Sequence, residues 1–344
     1  MLYIHQNTCV SPQLTSGEIN LNELQITNSN NLKAIEPQDV YQAIPPSMFR
    51  RMGKAVRLSS GAALPLLNTH KFDGIIIGTA YGGLEDCIKF LNQIVQYNEG
   101  RLTPTNFVQS TTNAVASQLA FFSHNKGHNS THVHRGLAFE NALLEAAMLL
   151  KENPNHAYLL SGVDEISDYE YNIDDLAGWH KKEQLSNADL YNSHTSGSIP
   201  GEACVTFIVN NQKENAVACV KKIFTIHSTN EKEITQHLQD FIKENNIEVD
   251  LLLSGECGDN RLTHFYTAAE NILPKETTVA RYKHMCGEYA TSSSFALWFS
   301  CQVIQNNQIP SHAIKNKGEK SSFKNILIYN SFREKQHSFI WVQG

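Results

Sequence analysis

The residues best placed to do chemistry stand at two turns. In Ser130–Leu150, STHVHRGLAFENALLEAAMLL, the alternating THVH reads as a short strand and Arg135-Gly136 as a tight turn. Beyond the turn comes an almost wholly apolar helix broken only by Glu140, Asn141 and Glu145, the pattern of a buried central helix. A strand that turns through glycine into such a helix holds the turn residue at the helix N-terminus. Free N–H groups and the helix dipole favour an anion there, and enzymes with a nucleophile elbow place Ser or Cys at that point. This turn carries Val133, His134 and Arg135 instead. His134 is expected to be buried beneath the helix, as a base or as hydrogen-bonded structure. The second turn, KHMCGEYATSSS (283–294), offers Lys283, Cys286 and Glu288. Lys283 and Glu288 read as a structural ion pair ahead of an acid–base pair, because a buried carboxylate needs a partner either way. Cys286 and Cys257 are the thiols able to replace a nucleophile, yet neither is at the first turn, so both read as small buried hydrophobes.

His124, His128, His132 and His134 fall within eleven residues. A helix-to-strand hairpin bringing three of them together would hold zinc. No Cys or acidic ligand accompanies them, so the favoured reading has no metal and no cofactor. GxSxG, Walker and GxGxxG patterns are absent, which removes the usual hydrolase, NTPase and dinucleotide readings.

With 344 residues, the chain has core enough for one large α/β domain or two fused halves. Its 41% hydrophobic and 18% charged residues describe an ordinary soluble protein. A net charge of −6 offers no basic face to nucleic acid. No apolar run reaches the length of a membrane span, and MLYIHQNTCV lacks the regions of a secretory signal. Seven dispersed cysteines without CxxC argue for reduced thiols and a cytoplasmic location.

The elements that must position the two turns occur twice. FDGIIIGT (72–79), an apolar strand, leads through AYGG into a helix; the elbow and central helix come next; HAYLLSGVDE (156–165) and GEACVTFIVNN (201–211) are strands. Residues 168–200 are polar, a long excursion or lid, and residues 1–40 read as an edge strand with surface loops. In the second half VDLLLSGECGD (249–259) and RLTHFYTAAENIL stand for the first strand and helix. TTVARYKHMCGEY leads into the apolar ATSSSFALWFSCQVIQNN, and FKNILIYNSFRE and HSFIWVQG close the repeat. Duplication divides the chain at 1–212 and 213–344 and predicts two mixed sheets enclosing a pair of central helices.

That order resembles the thiolase-like fold, and the local motifs resemble β-ketoacyl-acyl-carrier-protein synthases. GTAYGGLE (78–85), SGVDE (161–165), PGEACVTFIV (200–209), KHMCGEYATSSS (283–294) and YNSFRE (329–334) are similar to that family's motifs, in its order, over residues 44–344. The resemblance implies an α/β, five-layered αβαβα sandwich of duplicated βαβ halves. It also implies an elbow Cys carrying an acyl thioester, two His that stabilise an enolate, a supporting Lys and a Gly-rich gate. Here the elbow position falls at Val133 or His134, the first His at Gly255 or Glu256, and the second at Glu288, while the Lys is kept as Lys283. The gate becomes Phe332, Arg333, Glu334, Lys335 and Gln336. A carboxylate at a His position would repel the enolate unless protonated.

Loss of thiol, imidazoles and gate together resembles chain-length factors, and the HRGLAF elbow and short length resemble the ketosynthase-like proteins of aryl-polyene and flexirubin clusters. The resemblance implies a non-condensing subunit that partners an acyl carrier protein and a catalytic ketosynthase in polyketide or fatty-acid elongation. It would form a heterodimer or homodimer through residues 104–134, with no nucleic acid and no membrane. Its rivals are an atypical condensing enzyme or acyltransferase using His134, Glu288 or an off-site Cys, and a zinc protein built on His124–His134.

Overall fold

The computed structural model describes residues 1–17, 19–67 and 69–344. Among the described residues eleven strands hydrogen-bond into one sheet: β1 (Leu2–Val10), β2 (Gly74–Gly78), β3 (His128–His132), β4 (Ala157–Asp164), β5 (Ala203–Asn210), β6 (Ala218–His227), β7 (Leu251–Ser254), β8 (Thr278–Arg281), β9 (Ile314–Asn316), β10 (Asn325–Phe332) and β11 (Gln336–Gln343). Their order is β3-β2-β4-β5-β1-β6-β11-β10-β7-β8-β9. Outward from the β1–β6 seam the halves run β1-β5-β4-β2-β3 and β6-β11-β10-β7-β8, so the duplication is a pseudo-twofold. The strand senses repeat too. The pairs β2–β4 and β7–β10 are parallel, whereas β4–β5 and β10–β11 are antiparallel.

Two corrections to the sequence reading concern the seam. The expected two sheets are stitched into one by three residue pairs, Leu2–Val220, Tyr3–Cys219 and Ile4–Ala218. The first strand is therefore at the middle of the sheet rather than at an edge. Its counterpart β6 was not assigned from sequence, because Lys221 and Lys222 interrupt its apolar alternation.

Strand alternation builds the layers. Ile75, Ile77, Leu159 and Ile208 face outward onto helices Lys54–Leu67 and Ala114–Ser123. Ile76, Leu160, Val205 and Phe207 face inward with Leu251, Leu253, Ile326 and Ile328 of the other half, around the first central helix (Ala138–Glu152) and the second (Ser292–Asn306). Leu252, Leu327 and Phe339 face outward again, onto helices Glu231–Glu244 and Thr263–Asn271. The result is the five-layered α/β sandwich of the thiolase-like fold.

The central helices differ. Every residue from Ser292 to Val303 is buried, whereas the first helix buries the stripe Ala138, Phe139, Ala142, Leu143, Ala146 and Leu150 and leaves Met148 64% exposed. The side left open lies toward β3, the free edge of the sheet.

Within that inner core Glu140 is fully buried. One carboxylate oxygen accepts from Ser338 Oγ at 2.7 Å and the other has no partner, and burial pushes its carboxyl above the usual range. Between the unfolded and folded values the native state holds the extra proton, so stability falls as pH rises through that window. Glu140→Gln is expected to melt above the parent, with a gap that widens by on the order of a few degrees between about pH 5 and about pH 8. Differential scanning calorimetry at both pH values measures it.

The stretch 168–200 is not a loose lid. It forms the helix Asp168–Leu176 and a 3₁₀ turn, Asn187–Asn192, and docks on the second half. Buried Lys181 donates to Ser193 Oγ, Thr195 O, Thr195 Oγ1 and Gly258 O, while Asn187 Nδ2 donates to Gln25 O and His284 O.

Candidate functional site

At the first elbow β3 stops at His132 and a single 3₁₀ turn, Arg135–Leu137, precedes the central helix. Arg135 takes the left-handed conformation (φ 51°), a sharp reversal for a non-glycine residue. The elbow is at the surface. Val133 is 49% exposed and His134 is exposed beside His227, which corrects the expectation of a buried imidazole. No cysteine stands there. The expected anion-binding N–H is also taken, since Gly136 N donates to Gln336 Oε1 at 2.9 Å. Phe332 lies directly on Gly136, where a Cβ would overlap it. The Gly136 donor is thus satisfied and the floor of the turn filled, which leaves that N–H unavailable to an oxyanion.

The His cluster does not converge. His128 Nε2 and His132 Nε2 bond the two oxygens of Glu145 at 2.9 and 2.6 Å, and Ser130 Oγ donates to the same carboxylate at 2.6 Å. His124 ends the helix Ala114–Ser123 (φ 52°), and among the described residues no three His, Cys, Asp or Glu are placed to hold a metal ion. The zinc reading is set aside on this geometry.

The second elbow lies in a cleft between the halves. Gly201 and Gly287 cross backbone to backbone with no room for a side chain, fixing Glu288 by Gly201 N→Glu288 O at 2.9 Å and Glu288 N→Ile199 O at 2.8 Å. The Glu288 carboxylate accepts from fully buried Lys283 at 2.5 Å, the ion pair that its sequence spacing suggested. Burial raises the Glu288 carboxyl, opposed by the Lys283 charge. Gly255 packs against Tyr329 and Asn330, and its N–H donates to Tyr329 O. Glu256 turns away to Lys315 (2.7 Å) and Arg281 (3.6 Å). Cys257 and Asp259 face the cleft from this loop, and burial pushes the Cys257 thiol up to about 12. Burial raises the Cys286 thiol as well, which disfavours the thiolate at both positions.

Sequence reading missed the other wall. Glu170, Asp174, Trp179 and His180, contributed by the segment taken for a lid, line the cleft beside Glu165 of the SGVDE turn. Only the run of acids after SGVDE hinted at them. Asp164 ties this wall to both halves, accepting from Thr79 Oγ1, Ala80 N, Tyr81 N, Thr291 N and Thr291 Oγ1 at 2.8–3.1 Å.

Across the mouth runs the β10–β11 hairpin. Arg333 pairs with Asp174, and Arg333 and Glu334 are both left-handed (φ 50° and 62°). The gate equivalent is thus a tight turn in positions suited to glycine. Glu334→Gly is expected to be neutral to stabilising, by up to about 1 kcal/mol, as relief of the left-handed strain offsets glycine's entropy cost. Urea unfolding reads the difference.

The layers and the two elbows are those of the thiolase-like fold. Residues 24–188 match the family model described as β-ketoacyl synthase, N-terminal domain. Solved structures match along the whole chain. A β-ketoacyl synthase from Burkholderia phymatum is 12% identical with a TM-score of 0.75, covering 100% of this chain and 99% of its own. The ishigamide ketosynthase/chain length factor is 11% identical with a TM-score of 0.78, covering 99% of this chain and 98% of its own. The ketosynthase ApeO in complex with its chain length factor ApeC, from Xenorhabdus doucetiae, is 11% identical with a TM-score of 0.74, covering 99% and 97%. No curated protein matches the sequence. The whole chain thus shares the fold of these structures, and residues 24–188 are similar in sequence to the β-ketoacyl synthase N-terminal domain.

Proposed function

We propose that this protein is a non-condensing, chain-length-factor-like subunit that pairs with a catalytic ketosynthase acting on carrier-bound acyl chains, of the aryl-polyene type. The observation that carries the reading is the first elbow, where Val133, His134 and Arg135 stand without a thiol, Gln336 occupies the helix-start N–H and Phe332 fills the floor. At the second elbow a Lys283–Glu288 pair stands in place of an imidazole. A relative of the same fold is a ketosynthase in complex with its chain length factor, and another is an acyl-carrier protein in complex with its ketosynthase.

The surface supports a partner. Helices Leu84–Gln96 and Pro104–Gln109 have no fully buried residue. Leu91, Val95, Phe107, Val108, Phe121, Val133 and Met148 are all at least half exposed or close to it, and β3 is a free edge of the sheet. Exposed apolar side chains in this number, with an unpaired edge strand, fit an interface.

The test is coexpression with an intact ketosynthase from the same genome, followed by intact-mass spectrometry with acyl-carrier thioesters. A stable complex in which only the partner is acylated supports the proposal. Acylation of this chain, at Cys257 for example, would replace it with the acyltransferase reading.

A further inference from the structure

At its far end the second central helix turns polar. It runs from Ser292 to Asn306, and Phe299, Gln302, Val303 and Asn306 fall at i, i+3, i+4 and i+7, one face of its last turns. The first central helix is also fifteen residues long, and its matching positions are Glu145, Met148, Leu149 and Glu152. The fold itself therefore does not call for carboxamides here. This face, the turn 19–22 and the segment 308–310 enclose a hollow of 280 Å³. That is close to the lower end of the range for small-molecule sites, about 300–1,000 Å³. The polar side chains in its lining are Asn20, Asn22, Gln302, Asn306 and Gln308, and among the described residues no charged group lines it.

Both walls are held in place while their amides stay accessible. Glu23 N donates to Asn20 O at 3.3 Å and Asn22 N to Asn20 Oδ1 at 3.2 Å, and His312 Nε2 donates to Leu21 O at 2.8 Å. Gln302 is only 9% exposed, and its Nε2 donates to Asn7 Oδ1 at 3.0 Å, which fixes the carboxamide in one orientation. Its Oε1 accepts nothing among the described residues, yet it keeps accessible surface. Gln308 Nε2 reaches Asn22 Oδ1 at 3.5 Å, so the two rims stand one hydrogen bond apart. Asn20, Asn22, Asn306 and Gln308 are exposed. The hollow thus offers acceptors at Gln302 Oε1, Asn306 Oδ1 and Gln308 Oε1, and donors at the Nδ2 of Asn20, Asn22 and Asn306.

We propose that this hollow binds an uncharged sugar ring. A hydroxyl group both donates and accepts, so neighbouring hydroxyls match carboxamides of both senses. An ionised ligand would lose its hydration here without meeting a counter-charge. A nucleobase would need an open aromatic face to stack on, and Phe299, the aromatic residue of the lining, is fully buried. A second hollow of 360 Å³ shares Asn20 and Leu21 and adds Gln13, Glu23 and Gln25, which gives room for a second ring. At 1.5 Å per residue the site lies about 20 Å from the second elbow, and it is independent of the pairing proposed above.

Saturation-transfer NMR with methyl glucoside and maltose, against glucuronate and glucosamine at equal ionic strength, tests the site. Melting temperature is not the readout, because sugars stabilise proteins in general by exclusion from their surface. The neutral sugars are expected to saturate with a Kd of about 1–10 mM, and the charged ones to bind at least about tenfold more weakly. Asn22→Ala and Asn306→Ala change exposed side chains, and each is expected to weaken the neutral sugars about five- to tenfold, for one or two lost hydrogen bonds. Asn172→Ala, on the exposed side of the helix Asp168–Leu176, should bind like the parent. The site is refuted if the charged sugars bind as well as the neutral ones, or if no saturation is reached by about 100 mM. It is refuted equally if neither Asn22→Ala nor Asn306→Ala weakens binding, or if Asn172→Ala weakens it as much. None of these outcomes alters the copurification result.

Discussion

Asp164→Ala is expected to remove about 4 kcal/mol or more of stability, because each buried donor stranded without an acceptor costs roughly 1–3 kcal/mol. Five are stranded at once: the hydroxyls of Thr79 and Thr291 and the amides of Ala80, Tyr81 and Thr291. They come from the loop after β2 in the first half and from the start of the second central helix. Asp164 thus fastens one half to the other where the cleft is formed. A loss of this size is most of what holds a domain folded at all. Asp164→Asn keeps one acceptor oxygen and should lose about half as much. Urea midpoints for the three proteins measure it, and an alanine variant within about 1 kcal/mol of the parent would show that water replaces the carboxylate.

Lys283→Met is expected to cost about 3–5 kcal/mol at neutral pH, since it leaves the Glu288 carboxylate buried without its cation. The pH dependence separates this from lost packing. Burial already raises the Glu288 carboxyl, and without Lys283 the opposing pull is gone. The folded variant then keeps its proton to higher pH than the unfolded chain, so its stability declines as pH rises above the ordinary carboxylate range. Below that range both states are protonated and the deficit relative to the parent shrinks. Lys283→Met combined with Glu288→Leu removes both charges and should recover most of the loss. A deficit unchanged between acid and neutral pH would mean that the pair contributes through shape alone.

Fold and pairings were readable to different degrees. Apolar strands ending in small residues, and the two long apolar helices, set the duplicated order, because burying both faces of a strand forces a local and repetitive pattern. Lys283 and Glu288 could be paired on paper since a single strand-to-helix turn separates them. Residues 218–227 carried no comparable signal, and the first ten residues read as a strand but at an edge. Their strands lie at the seam of the sheet, where long-range pairing rather than local propensity fixes conformation.

The sequence by itself determined the layers and the missing elbow thiol, because identity and periodicity are properties of the chain. Tertiary structure alone decided where those residues look. His134 proved exposed because β3 ends the sheet, and Glu256 turned to Lys315 and left the cleft to Cys257. Gln336, 200 residues from Gly136 along the chain, occupies its N–H. Contacts between segments so far apart depend on how two halves pack, and no local pattern records that.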